Sequence, residues 1–87
     1  MQVPKLKVLV EAGAVREVEA IPEESGWTVQ VTYASRHGER REILDRQRGG
    51  VRVFATLDAV GRCLVGLGLP AFRVDASGLA DAGDEPP

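Results

Sequence analysis

One cysteine and one histidine stand among the 87 residues, so a copy of this chain can build neither an internal disulfide nor a Cys/His zinc site from its own side chains. No metal and no cofactor is expected. Rings are scarce as well: one Trp, one Tyr and two Phe leave little on which nucleic-acid bases could stack. No apolar run approaches the roughly 20 residues that cross a bilayer, and the opening Met1-Gln2-Val3-Pro4-Lys5 lacks the apolar stretch of a signal peptide. The expectation is a cytoplasmic protein with no membrane contact. At 9.3 kDa a two-domain enzyme is excluded, and there is little room for a buried catalytic cleft.

What the chain does contain suffices to fold. Hydrophobic residues make up 44% and charged residues 28%, and the mean hydropathy of -0.10 is too high for a wholly disordered chain. The charges are segregated, which matters more than their net value of -2. Residues 11–24 hold five acids (Glu11, Glu17, Glu19, Glu23 and Glu24) against Arg16. Residues 36–52 hold six arginines (Arg36, Arg40, Arg41, Arg46, Arg48 and Arg52) against Glu39, Glu42 and Asp45, a local charge of +3. From residue 78 onward Asp81, Asp84 and Glu85 face no base, among Ala, Gly and Pro that offer little to bury. That composition predicts a single domain over residues 1–77 and a disordered acidic tail over 78–87.

Within the folded part, Leu6, Val8 and Val10 alternate as on a half-buried strand, and Glu11-Ala12-Gly13-Ala14 reads as a tight turn. Residues 15–21 form a weaker strand, with Val18 and Ala20 opposed to Glu17 and Glu19, which Pro22 ends or places at an edge. The strict alternation of residues 27–33 is the clearest strand signal and assigns Trp27, Val29, Val31 and Tyr33 to the core. Ser35-Arg36-His37-Gly38 closes a hairpin onto a charged strand over residues 39–44. A short extended segment follows at residues 51–54. Thr56 caps a helix in which Leu57, Val60, Leu64 and Leu67 recur at three- and four-residue spacing, Gly68 ends it and Pro70 prevents its continuation. Residues 71–74 are a last strand with Phe72 and Val74 inward. The predicted fold class is α+β: a small, mostly antiparallel sheet of four to six strands with one amphipathic helix near the C-terminus on one face.

Catalytic candidates are thin. His37 sits at a hairpin tip, where a general base would lack an orienting partner. Cys63 lies at the edge of the helix's apolar stripe, where a free thiol behaves as a small hydrophobe. Glu17 and Glu19 could act as a carboxylate pair in an acid/base cleft, yet a solvent-facing strand explains them more simply. No enzyme is expected. The arginines of the 36–52 hairpin carry the one functional signal, since arginine suits bidentate contact with phosphate. Against that, Glu39, Glu42 and Asp45 could neutralise them, and a pI of about 5.3 is low for an autonomous nucleic-acid binder. A basic hairpin and an acidic strand on one small molecule also suit a homodimer through sheet edges.

Two stretches carry a resemblance. Gly13-Ala14-Val15-Arg16-Glu17-Val18 with Gly26-Trp27-Thr28-Val29 is the first, and Arg52-Val53-Phe54-Ala55-Thr56-Leu57-Asp58 running through the helix to Phe72-Arg73-Val74-Asp75 is the second. Over residues 8–77 the chain resembles small proteobacterial proteins of plasmids and integrative elements, partition-accessory proteins of the ParC-like kind. The resemblance brings no catalytic residue. It implies an accessory role in a mobile genetic element, through protein contacts or DNA. Together with the self-association that the segregated charges suit, the expectation is a non-enzymatic accessory or adaptor protein of plasmid maintenance or partition that acts through contacts with a protein partner and with its own copies. The alternative is a nucleic-acid-binding module that uses Arg36, Arg40, Arg41, Arg46, Arg48 and Arg52.

Overall fold

The structure is a computed structural model that describes residues 1–77; the tail expected over residues 78–87 lies outside the described residues. Its elements run α1 (Val3–Glu11), β1 (Val15–Glu23), β2 (Gly26–Ser35), β3 (Gly38–Ile43), α2 (Leu57–Gly66) and β4 (Arg73–Val74). The strands form one sheet in the order β3-β2-β1-β4. β1, β2 and β3 are antiparallel neighbours joined by two-residue turns, whereas β4 pairs parallel to β1 through Glu19↔Arg73 and Ala20↔Val74. The sheet is thus mixed rather than purely antiparallel. The cause is α2, which supplies the long crossover a parallel pair needs.

The alternation in β2 places its side chains as its sequence demands. Trp27, Val29, Val31 and Tyr33 are buried and meet Val18 and Ala20 of β1, Leu6 of α1, Val60 and Leu64 of α2, and Leu44 and Phe54 of the connecting loop. Both helices therefore cover the same face. The other face carries Glu17, Glu19, Gln30, Thr32 and Arg41. No helix among the described residues is long and apolar enough to cross a membrane.

The strand expected over residues 5–10 is instead the middle of α1. A short apolar run fits either period, and two features decide it here. Pro4 lies in the first helical turn, where its missing N–H costs nothing. The residues that bury are Val3, Leu6, Leu9 and Val10 at helical spacing, while Val8, counted inward by the strand reading, is 63% exposed. The supposed tight turn is this helix's stop. Gly13 has φ +67, its N–H reaches the Val10 carbonyl, and the Ala14 N–H reaches that of Leu9, which closes a Schellman motif. The same motif ends α2 at Gly68, as its sequence predicted. The Thr56 hydroxyl accepts from the Ala59 N–H at 3.1 Å, the expected N-cap. A single helix was expected, near the C-terminus; there are two, α1 at the start of the chain and α2 after β3.

Pro22 does not end β1. Its partner Trp27 turns its own N–H and C=O away to Phe54, at 2.8 and 2.7 Å, so proline interrupts no ladder bond there. β3 ends at Ile43, and Leu44 continues inward as a fully buried residue. Phe72 packs against the core, but Val74, expected inward, is 39% exposed on a two-residue edge strand. The close approach of Phe54 to β2 depends on Gly26, where an added Cβ would fall 2.1 Å from the Phe54 carbonyl oxygen. Gly26→Ala should therefore cost at least about 1 kcal/mol in urea unfolding. Gly66→Ala, in a helix with nothing within 4 Å, should gain about 0.5 kcal/mol. Equal effects of the two substitutions would contradict this packing.

Candidate interaction surface

The six arginines proposed as phosphate contacts share a stretch of sequence but not one surface. Arg36 stands exposed at the tip of the β2–β3 turn, beside His37. That turn is set by Ser35, whose hydroxyl accepts from the His37 N–H at 3.2 Å and donates to the Gly38 carbonyl at 2.6 Å. Arg40 and Arg41 are consecutive on β3, so they leave opposite faces of the sheet. Arg40 lies opposite Tyr33 on the helix side. Arg41 lies opposite Thr32 on the open face, in a hollow of about 60 Å³ with Glu17, Glu19, Gln30 and Thr32. Arg46, Arg48 and Arg52 belong to the loop beyond the other end of β3, about 20 Å from the tip at roughly 3.3 Å per residue.

That loop is well held. Asp45 bridges to Val51, the Arg46 Nε donates to the Gly49 carbonyl at 3.1 Å, and the Gln2 side-chain amide donates to the Gln47 carbonyl at 3.1 Å. The Arg52 guanidinium rests over the Phe54 ring, 4.5 Å from its centroid, a cation–π placement. Between this loop and the start of α1 lies a cleft of about 440 Å³ lined by Gln2, Val3, Pro4, Asp45, Gln47 and Arg52.

The acids interleaved with the arginines do not neutralise them. Among the described residues no arginine of 36–52 has a carboxylate within 4.0 Å. Glu42 instead binds Lys5 Nζ at 2.9 Å and accepts from the Tyr33 hydroxyl, and the Met1 amino group stands 3.6 Å away. Asp45 takes the Met1 amino group at 3.0 Å. That amino group also donates to the Ile43 carbonyl at 2.6 Å, and the Met1 carbonyl accepts from the Asp45 N–H. Lys5 lies 5.2 Å from the centroid of the Tyr33 ring. Tyr33 and Glu42 are nine positions apart across the hairpin, but Lys5 and Met1 join the cluster from 37 and more positions away, and no local pattern announces that part of it. Placing Lys5 on a helix above β3 would have been the only signal.

The other catalytic candidates are dispersed. His37 is exposed, Cys63 is half-buried against the core, and Glu17 pairs with Arg73 at 3.3 Å. Trp27, Tyr33 and Phe54 are buried, and Phe72 packs on the core, so none of the rings forms a stacking platform. Among the described residues no group of three or more His, Cys, Asp or Glu is placed to hold a metal ion.

The hydrogen bond from Tyr33 and then the contact with Lys5 hold the Glu42 carboxyl down at about 2, and Glu42 in turn raises Lys5. A carboxyl lowered in the folded state stabilises the fold above its unfolded value and loses that contribution as pH falls toward the folded one. The stability difference between wild type and Glu42→Gln should thus shrink as pH drops from about 4.5 to about 2. Tyr33→Phe should raise the Glu42 pKa and cost about 1 kcal/mol at neutral pH. Carboxyl NMR titration and urea unfolding read both, and a Glu42 pKa unmoved by Tyr33→Phe would contradict the assignment.

The model of one protein family, described as ParC-like, matches residues 1–80, nearly the whole length and somewhat more than the stretch whose residues carry the resemblance. No curated protein and no solved structure matches the chain. With its helix–hairpin core and its α2 crossover inside the matched span, this chain belongs to the ParC-like family.

Proposed function

We propose that the chain is a non-enzymatic accessory or adaptor protein of a mobile genetic element, serving plasmid maintenance or partition in the cytoplasm. It works through protein contacts, including association with its own copies as a homodimer. The observation that carries this reading is family membership over residues 1–80. The dispersal of His37, Cys63 and Glu17 over separate parts of the molecule supports a role without catalysis. The unpaired charges along β3 support one based on surface contacts. Deleting the reading frame from a replicon that carries it should raise plasmid loss per generation several-fold without selection, and supplying the gene in trans should restore it. Unchanged loss would contradict the reading.

One observation favours a second reading, as a nucleic-acid-binding module. Among the described residues none of Arg36, Arg40, Arg41, Arg46, Arg48 and Arg52 is neutralised by a carboxylate within 4.0 Å, and Arg36, Arg40, Arg41 and Arg48 are exposed, which leaves positive charge available to phosphate. Fluorescence anisotropy with duplex and single-stranded DNA at about 50 and about 200 mM salt tests it. Micromolar binding that falls with salt and is lost in Arg40→Ala/Arg41→Ala/Arg48→Ala supports this reading, and no binding at the lower salt removes it.

A further inference from the structure

The outer edge of β3 is written so that it can pair with itself in one register. The N–H of Leu44 bonds to the Val29 carbonyl at 2.8 Å, and Ile43 stands opposite Gln30. That combination marks Ile43 as a position whose own N–H and C=O turn away from β2. Alternation then turns the backbone groups of Arg41 and Glu39 outward too, while Arg40 and Glu42 bond inward to Tyr33 and Val31. At Ile43 the outward carbonyl is already taken by the Met1 amino group. The free edge is therefore Glu39 to Arg41, and the charges there have no partner within 4.0 Å in their own chain among the described residues.

We propose that two copies pair antiparallel through this edge with Arg40 at the two-fold axis, so that Glu39 of each lies opposite Arg41 of the other. Both residues are exposed and on the open face of the sheet. Their outward N–H and C=O groups bond reciprocally, and both Glu39–Arg41 pairs join opposite charges. A two-fold axis normal to the sheet sets like faces opposite one another, which leaves few registers. Moving the axis to Arg41 would set Arg41 against Arg41 and bring Glu39 onto Ile43, where Met1 stands. Moving it to Glu42 or to Glu39 would set a carboxylate against its twin. In the remaining register the two Arg40 side chains meet on the helix side. Both are exposed, and each has Glu42 of the other copy as a diagonal neighbour within reach of a long side chain. Charges on an edge ordinarily prevent pairing; here they favour the one register that forms two opposite-charge pairs. The opposite edge, β4, offers two residues.

This pairing rests on the self-association in the function proposed above and specifies where it occurs. Sedimentation velocity over the micromolar range tests it with Glu39→Arg and Arg41→Glu. Each substitution alone turns both cross-strand pairs into like-charge pairs and should weaken dimerisation by about tenfold or more. Mixed in equal amounts, the two variants regain opposite charges in both pairs and should dimerise close to wild type, which also shows that both fold. Dimerisation of wild type untouched by either substitution, or no recovery in the mixture, would overturn the β3 register while leaving self-association standing. A wild type that stays monomeric up to several hundred micromolar would remove both.

Discussion

The carboxylate of Glu42 fixes how helix and sheet edge meet. It stands on β3, receives the Tyr33 hydroxyl from the central strand and Lys5 from α1, and has the Met1 amino group close by. The start of the chain, the central strand and β3 are thus tied at one point. Two consequences follow from how that charge is used. The acid that shares the helix-side face of β3 with Arg40 is occupied by Lys5, so Arg40 keeps its charge unpaired after folding. The amino group that accompanies it caps the Ile43 carbonyl, which shortens the open edge of the sheet to the turns of backbone at Glu39 and Arg41. An edge restricted in this way suits one specific contact rather than indiscriminate pairing.

The remainder of the fold holds this edge still. β2 is the central strand, with β1 on one side and β3 followed by Phe54 on the other. All its inward residues are buried beneath two helices. The loop from residue 44 to residue 56 crosses the end of the sheet, anchored by the reciprocal bonds of Trp27 and Phe54 and by Leu44 in the core. Arg46, Arg48 and Arg52 ride on that loop, away from the arginines of β3. This chain therefore presents its arginines in two separate regions, one at an exposed strand edge and one beside the start of α1.

Much of the fold was legible where a local rule acts alone. The alternation of β2, the Ser35-Arg36-His37-Gly38 turn, the Thr56 cap and the Gly68 stop each follow from a few neighbouring residues, and each stands where its residues put it. The misreadings arise where distance decides. Residues 3–10 offer a strand period in Leu6, Val8 and Val10 and a helical one in Val3, Leu6, Leu9 and Val10, and Pro4 and Gly13 were the residues that distinguished them. The direction of β4 depends on the α2 crossover, not on Arg73 or Val74. The fate of the acids around the arginine hairpin could not be read from adjacency at all, because Glu42 finds its partners in Lys5 and Tyr33 rather than in Arg40 or Arg41. The six candidate arginines were identifiable as a charge run, but their division between two faces and two ends of β3 is a product of the strand's period and length.

Hydrogen exchange along β3 tests the central claim most directly. In the isolated chain the amides of Arg40 and Glu42 bond to β2 and those of Glu39 and Arg41 face solvent. The account predicts that Glu39 and Arg41 exchange freely at low protein concentration and gain protection as concentration rises, while Arg40 and Glu42 are protected throughout. Free exchange at Glu39 and Arg41 at concentrations where the protein is dimeric would place the contact elsewhere and contradict the account.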